Sequence, residues 1–505
     1  MEMSPNLLIH DDSAQRRAVA NDLWPYRTLG VAHQEQVPLP AIVVQPVDED
    51  QVSAVLRVAN ARGIPVLPLG AGSGVVGGAA SWGGEIVIDM KRYQHLIEID
   101  TEGMSVRVSP GVLGQRLEDA LLAQGYTLGH YPSSIACSTV GGWLAARSAG
   151  QQSSRYGKID DMVLSMRIVT PAQGVLDTDE EPGLMQIVLG SEGTLGVITE
   201  ARLRIHRAPQ ELLLRGFRFA TLRDALDGAR VAMTSGVQPS VLRIYDPLDT
   251  RIALGEEGSK PSEEPGLADE IVRDLRRLLL GDDPLAAAVR LALVKPKALG
   301  AARKFAGKQC LVVVGFDGSE DDVEERMTWL RNIWSEQGAT DLGTQPGETW
   351  LRKRHSVSFK APRMFRAGLF ADTMELACGW SQMELLYDQM MEILSSFGVP
   401  MAHFSHAYPE GVSVYVSFVG PGKDLEHGRT IYREMWGSAL AKAQELGATC
   451  THHHGVGVLK RAEATLEAGP ALRGWSVVKD WLDPANILNP GVLFEGWAGD
   501  PRSFS

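Results

Sequence analysis

Cysteine is scarce in this sequence: four residues in 505, at Cys137, Cys310, Cys378 and Cys450, with no C-x-x-C pair. That excludes a disulfide-stapled scaffold and the common zinc knuckles, and it points to reduced thiols in a cytoplasm. Positive charge is in deficit, since 49 Lys and Arg face 62 Asp and Glu for a net charge of −13. So acidic a chain repels a phosphate backbone, which argues against nucleic acid as a partner. No apolar run reaches the roughly 18 residues that cross a bilayer. The start, "MEMSPNLLIHDDSAQRR", is acidic where a secretory signal would be basic and then apolar. No Gly-Lys-Ser/Thr completes a Walker loop, and no short-period repeat is evident.

What is present is an ordinary globular composition, 44% apolar and 22% charged, long enough for two or more domains. The stretch "LPLGAGSGVVGGA", Leu67 to Ala79, contains a formal G-x-G-x-x-G at Gly72, Gly74 and Gly77. A Rossmann site needs a helix opening at that point to receive a pyrophosphate. None follows: "GIPVLPL" before it and "EIVIDM" after it both read as strands. What remains is a strand, a glycine turn and a strand. Its successive N–H groups either hold an anion, with the Ser73 hydroxyl adding a donor, or form an ordinary glycine-rich loop. Val47 to Arg62 and "GQRLEDALLAQG" read as helices, the second closed by Gly125. Mixed α and β elements run to about Arg207, where "ELLLRGFRFATLRDALDGARVAMTSG" opens a new strand–helix segment. Leu267 to Val294 is helical in pattern, with Leu/Val faces beside Arg273, Arg276, Arg277 and Arg290. It is either a core helix pair or a helix lying on an anionic membrane surface.

Two further blocks are dense in small residues: "PSSIACSTVGGWLAARSAGQQSSRYGKIDDMVLSMRIVT", Pro132 to Thr170, and "GSEGTLGVITEARLRI", Gly190 to Ile205. With the glycine stretch, in this order, they resemble the PCMH-type FAD-binding domain of vanillyl-alcohol-oxidase-type flavoproteins. The resemblance implies an α+β fold: two α+β subdomains gripping FAD, and an α+β substrate (cap) domain with an antiparallel sheet. Residues 1–36 would be an extension, 37–207 the FAD domain, 208–445 the cap, and 446–505 a segment returning to the flavin. It assigns FAD contacts to Pro68, Leu69, Gly70, Ala71, Gly72, Ser73 and Gly74. In the second block it assigns Ser133, Ser138, Thr139, Ala145, Ala146, Arg147 and Ser148. In the third it assigns Glu192, Gly193, Thr194, Leu195, Gly196, Val197 and Ile198. Covalent relatives place His in the glycine turn; Ser73 stands there, so non-covalent FAD is expected.

In the C-terminal half, "SHAYPEGVSVYVSF" keeps His406 but has Tyr415 where the family's 2-hydroxy-acid dehydrogenases carry a second metal-binding His. "THHHGVG" has His453 where they carry Glu, so no metal is expected. "STVGGW", "VSVYVSF" and "HHHGVG" instead resemble the alkyldihydroxyacetonephosphate synthase family of ether-lipid enzymes. Taken alone, His452, His453 and His454 are metal ligands, surface residues or a polar active-site wall. If extended, they would alternate faces and could not share one ion. Tyr415 alone is a satisfied core tyrosine or an acid/base group. The resemblance makes it the proton-moving residue, and the histidines its support. Bringing a phenol from about 10 to neutral pH needs about 4 kcal/mol, part of which a cationic imidazole or guanidinium close by would supply, with His452 to His454 the candidates. Arg243 either pairs with Asp246 or, by resemblance, holds a substrate phosphate. Arg363 and Arg366 compete for a second such place. The expected reaction exchanges the acyl group of acyl-dihydroxyacetone phosphate for a fatty alcohol without net redox. The alternative is an FAD-dependent 2-hydroxy-acid (lactate- or glycolate-type) dehydrogenase or oxidase. The expected partners are a lipid-like phosphate and a fatty alcohol. The expected setting is the cytoplasm with peripheral membrane contact, and a homodimer is compatible with it.

Overall fold

In the computed structural model, residues 6–255, 267–280, 291, 295–355, 361–422 and 424–495 are described. Strand β1 (Leu8–His10) pairs antiparallel with β2 (Ile42–Gln45), so residues before 37 enter the first sheet rather than standing apart from it. That sheet continues through β4 (Ile86–Asp89) to β3 (Val66–Leu69), and both of these pairings are parallel. Between β2 and β3 runs the helix Glu49–Arg62. Asp48 caps its first turn by accepting from Gln51 N–H, Glu49 and Asp50 follow, and Gly63 ends it in the left-handed region at φ 61°. A cap of this kind stabilises a helix by about 1 kcal/mol. Its buried Val52, Val55, Leu56 and Ala59 pack with Val66, Ile86 and Ile88 of the sheet.

The second sheet has the order β5-β6-β10-β8-β9: β5 (Ile97–Asp100), β6 (Ser105–Val108), β8 (Val163–Thr170), β9 (Gly174–Asp177) and β10 (Val197–Arg204). A two-stranded piece, β7 (Tyr126–Thr127) with β11 (His206–Arg207), lies beside it. The third sheet, with seven strands, is antiparallel throughout, in the order β15-β12-β14-β13-β17-β18-β16. Its members are β12 (Glu211–Phe219), β13 (Val241–Tyr245), β14 (Cys310–Gly318), β15 (Thr340–Asp341), β16 (Leu369–Gly379), β17 (Val399–Ala407) and β18 (Gly411–Pro421). Helices cover one face, where Trp334 is fully buried edge-on to Phe217 and Phe219 at 4.9 and 5.4 Å. Each such ring pair adds about 0.5–1.5 kcal/mol beyond the area it buries. The α+β architecture is the one expected.

The membrane-surface expectation for Leu267 to Val294 is corrected over its described part. The helix Leu267–Leu280 turns Ile271, Val272, Leu275 and Leu278 into the cap core, each at most 6% exposed. The apolar face that would enter a bilayer is already covered. Its arginines are engaged as well: Arg276 donates to Ile252 O, Arg273 pairs with Glu270, and Arg277 pairs with Asp274. Arg290 lies outside the described residues.

Candidate active site

The three small-residue blocks meet. After β3 the chain turns through Gly70 to Ala80 without a helix, taking left-handed φ values of 69° at Gly72 and 81° at Gly77. A Cβ at Gly70 would strike the Thr139 hydroxyl, so only glycine lets the turn lie against the second block. Thr139 caps the short helix Val140–Ala146 by accepting from Gly142 N–H. Ser138 accepts from Trp143 Nε1 at 2.8 Å, Ser133 accepts from Gln151 Nε2 at 3.1 Å, and Ser148 bonds His130 Nε2 at 2.8 Å. In the third block Glu192 N–H donates to Ala145 O, and Gly193 lies against the Pro68 ring. Asn489, from the C-terminal segment, donates to Gly78 O and Glu192 O.

Closely approaching backbones around a glycine turn fit a diphosphate, whose oxygens need N–H groups at hydrogen-bond distance. Two buried polar atoms beside the second block, His130 Nδ1 and Gln151 Oε1, have no hydrogen-bond partner among the described residues. They fit the polar edge of a cofactor. Several assigned side chains are occupied elsewhere. Leu195, Val197 and Ile198 are buried in cores, so they offer backbone to this cradle. The Arg147 guanidinium donates to Leu189 O and Gln186 O. The Glu192 carboxylate accepts from Val456 and Gly457 N–H, fastening the histidine-bearing loop to the FAD domain.

The second half of the site is built on the β16, β17 and β18 strands. Tyr415 on β18 stands opposite Glu375 on β16 and His403 on β17. A β-bulge between Ser405 and Ala407 leaves His406 outside the ladder at φ 53°, a strained conformation for histidine. The bulge re-aims the imidazole: His406 Nε2 lies 2.7 Å from Tyr415 Oη, and His406 Nδ1 lies 2.7 Å from Ser153 Oγ. On its other side Tyr415 Oη lies 2.5 Å from His453 Nε2. The segment Thr451 to Gly455 bends rather than extending, so the expected alternation of faces fails. His452 Nδ1 is 3.0 Å from His453 Nδ1, and the His454 ring meets Tyr415 edge-on at 5.5 Å.

Burial governs the charges here. It holds His453 and His406 well below the ordinary imidazole range, His454 at about 4, and His452 below its usual value. It also lifts Tyr415 well above 10, and the nearby Glu375 carboxylate adds to that; Arg243 opposes it. The expectation of a cationic imidazole lowering the phenol is therefore corrected: the resting site is a neutral phenol between neutral imidazoles. The anion is Glu375. Burial disfavours its charge, yet the positive charge of Lys460 outweighs that and holds it well below the usual carboxylate range. Glu375 and Lys460 are both fully buried, with Oε2 and Nζ 3.7 Å apart.

Glu375 and Lys460 escaped the sequence reading, as did Ser153. A glutamate set between Met374 and Leu376 in the mostly apolar "LFADTMELACG" was the available signal. Glu375, His452 and His453 each offer a ligand atom within 4.8 Å of the others. Two of these three already have other partners: Lys460 Nζ stands 3.7 Å from Glu375 Oε2, and the Tyr415 phenol lies on His453 Nε2.

Arg243 on β13 places its guanidinium over the Tyr245 ring at 5.1 Å, and its buried Nε has no hydrogen-bond partner among the described residues. Asp246 is not its partner. That carboxylate accepts from Asp249 and Ala402 N–H and from Tyr387, and burial raises it to about 7. Arg366 is exposed, at the end of a short helix, Ala361–Arg366, that precedes β16. Glu375 lies six residues beyond Leu369, which at about 3.3 Å per residue puts the start of β16 roughly 20 Å from the Tyr415 level. Arg366 is thereby removed from the cluster, and the Arg363 backbone lies on the same helix.

A glycine-turn cradle joined to a cap carrying a buried tyrosine–histidine cluster suits a flavin-binding class of protein, and the comparisons with known proteins give the families. Residues 40–179 match the FAD binding domain family, and residues 208–493 match FAD linked oxidases, C-terminal domain. This chain belongs to the FAD-linked oxidase family and is a flavoenzyme of the alkyldihydroxyacetonephosphate synthase branch. It is 32% identical to alkyldihydroxyacetonephosphate synthase of Dictyostelium discoideum, across 90% of this chain and 73% of the relative. A solved alkyldihydroxyacetonephosphate synthase superposes with a TM-score of 0.74 at 27% identity, covering 96% of this chain and 82% of that one. The mitochondrial D-lactate dehydrogenase [cytochrome] of Arabidopsis thaliana is 26% identical across 90% of this chain and 74% of its own length.

Proposed function

We propose that the protein exchanges the acyl group of acyl-dihydroxyacetone phosphate for a fatty alcohol, forming an ether without net redox. The observation that carries this reading is the Tyr415 hydroxyl held between two neutral imidazoles, at 2.7 and 2.5 Å. Replacing an acyl by an alkyl oxygen at one carbon needs a group that removes and returns a proton there, and this geometry suits it. FAD would be held by the glycine turn after β3 and the two small-residue blocks, and would supply an electrophilic ring beside the substrate carbon. Tyr415 moves the carbon-bound proton, and the imidazoles take up and return protons at the leaving and entering oxygens. Arg243, whose Nε has no partner among the described residues, holds the phosphate. Ser73 in the glycine turn offers no imidazole tether, so FAD is held without a covalent bond, and acid precipitation releases all yellow colour to the supernatant.

The test is paired. Labelled hexadecanol with acyl-dihydroxyacetone phosphate should give labelled ether. Anaerobic lactate or glycolate should leave the flavin spectrum oxidised. Stoichiometric bleaching by a 2-hydroxy acid, with no ether formed, would replace this reading with a dehydrogenase.

A further inference from the structure

The hydrogen bonds around Tyr415 form one chain, and its direction decides which way a proton can travel. A hydroxyl has one proton, and a neutral imidazole carries one N–H. Tyr408 donates to Ser153 Oγ at 3.1 Å, and Ser153 Oγ contacts His406 Nδ1. If Ser153 donates onward, His406 carries its proton on Nε2 and donates it to Tyr415 Oη. The Tyr415 proton then points at His453 Nε2, and His453 carries its own on Nδ1. The reverse order, with His453 Nε2–H donating to Tyr415, satisfies the same contacts as far as His406. Between the two stands a group that accepts only: the Glu375 carboxylate, Oε1 at 3.6 Å from His453 Nδ1.

We propose that Glu375 is the positioning residue of this site: its charge holds His453 as the Nδ1–H tautomer, so that the bare Nε2 receives the Tyr415 proton. Several contacts fix the carboxylate for this. His452 N–H donates to Oε1 at 2.7 Å, Thr451 and Ser413 hydroxyls lie at 3.4 Å, and Lys460 Nζ stands 3.7 Å from Oε2. In that tautomer the single Nδ1–H of His453 has His452 Nδ1 as its acceptor at 3.0 Å, with the Glu375 charge beside it at 3.6 Å. The step balances. The phenol O–H breaks as Nε2–H forms, its electron pair stays on the Tyr415 oxygen, and the imidazolium lies beside Glu375. The Tyr415 oxygen takes the substrate proton in the same event and is phenol again, and His453 keeps its second proton until it is returned or passed to the departing oxygen. The arrangement parallels the hydroxyl–imidazole–carboxylate logic of serine hydrolases, where the carboxylate orients the ring and stabilises its cation.

The substrate half of this inference rests on the function proposed above; the tautomer does not. The experiment uses the FAD-loaded protein with ¹⁵N-labelled histidine at neutral pH, His453 being assigned by its loss in His453→Gln. Wild type should show the Nδ1–H form, changing toward Nε2–H in Glu375→Gln. That substitution also strands Lys460, so Glu375→Gln with Lys460→Met is the second variant, neutral at both positions. In both variants kcat should fall by about 10²–10⁴-fold with KM within about twofold and FAD content unchanged, and Glu375→Asp should recover part of kcat. Three results would overturn the proposal: an Nε2–H tautomer in wild type, full activity in the double variant, or a stoichiometric bound metal displacing the relay. If wild type makes no ether, the function fails while the tautomer measurement still decides this inference.

Discussion

The glycine turn after β3 and the cluster around Tyr415 are two ways to build a binding surface. The turn works with backbone: Gly72 and Gly77 adopt φ values that other residues avoid, and Gly70 leaves room for Thr139. The cluster works with side chains from separate segments, where Ser153, Glu375, His406, Tyr415, His453 and Lys460 come together only when β16, β17 and β18 pair. A backbone site fails by crowding and loses its ligand. A side-chain site fails by losing one atom, keeping the ligand and losing the chemistry.

That contrast can be broken by substitution. Tyr415→Phe should lower turnover by about 10³–10⁴-fold while FAD content, read from the flavin absorbance ratio, stays at the wild-type level. Loss of flavin in this variant would show that the two regions are not separable. Gly70→Val should do the opposite, lowering bound FAD by about tenfold or more, because its side chain would enter the space of the Thr139 hydroxyl. Turnover per flavin retained should be unchanged.

Glu192 joins the regions, and its effect is on stability. Burial raises its carboxyl to about 7 despite the Val456 and Gly457 N–H bonds. Because the folded value exceeds the unfolded one near 4.5, the protonated form's contribution is full below pH 4.5 and is lost as pH rises through 7. Glu192→Gln should therefore gain on wild type by up to roughly 3 kcal/mol between pH 5 and pH 8, read as the difference in denaturant midpoints. An equal offset at both pH values would mean that Glu192 is ionised throughout. The smallest effect is expected at the exposed arginines of Leu267–Leu280: Arg273→Glu with Arg277→Glu should leave co-sedimentation with anionic liposomes unchanged. A salt-sensitive loss would return that helix to the membrane.

Much of the cradle was legible because its causes are local. A glycine turn without a following helix, and two serine- and glycine-rich blocks, state their backbone requirements in the residues themselves. The cap site was legible only in part. Tyr415 and the three histidines stood out, but the glutamate that organises them lies on another strand, and no spacing rule connects Glu375 to His453. The arginines divide in the same way. Arg243 lies near enough to Tyr415 and His403 for its charge to act on both, whereas Arg366, of the same residue type and close in sequence to a site strand, is carried to the far end of the sheet and faces solvent.

The sequence by itself determined the FAD-binding α+β class, the glycine turn with no helix after it, and the residue types that can move a proton. Tertiary structure alone decided their charges and directions. Burying the imidazoles made them neutral, pairing Glu375 with Lys460 kept one carboxylate ionised, and packing the Leu267–Leu280 face into the core closed it to lipid. The physical reason is range. Backbone strain is set within a few residues, whereas desolvation and Coulomb energy depend on whatever the fold brings within a few ångströms, however far apart in the chain.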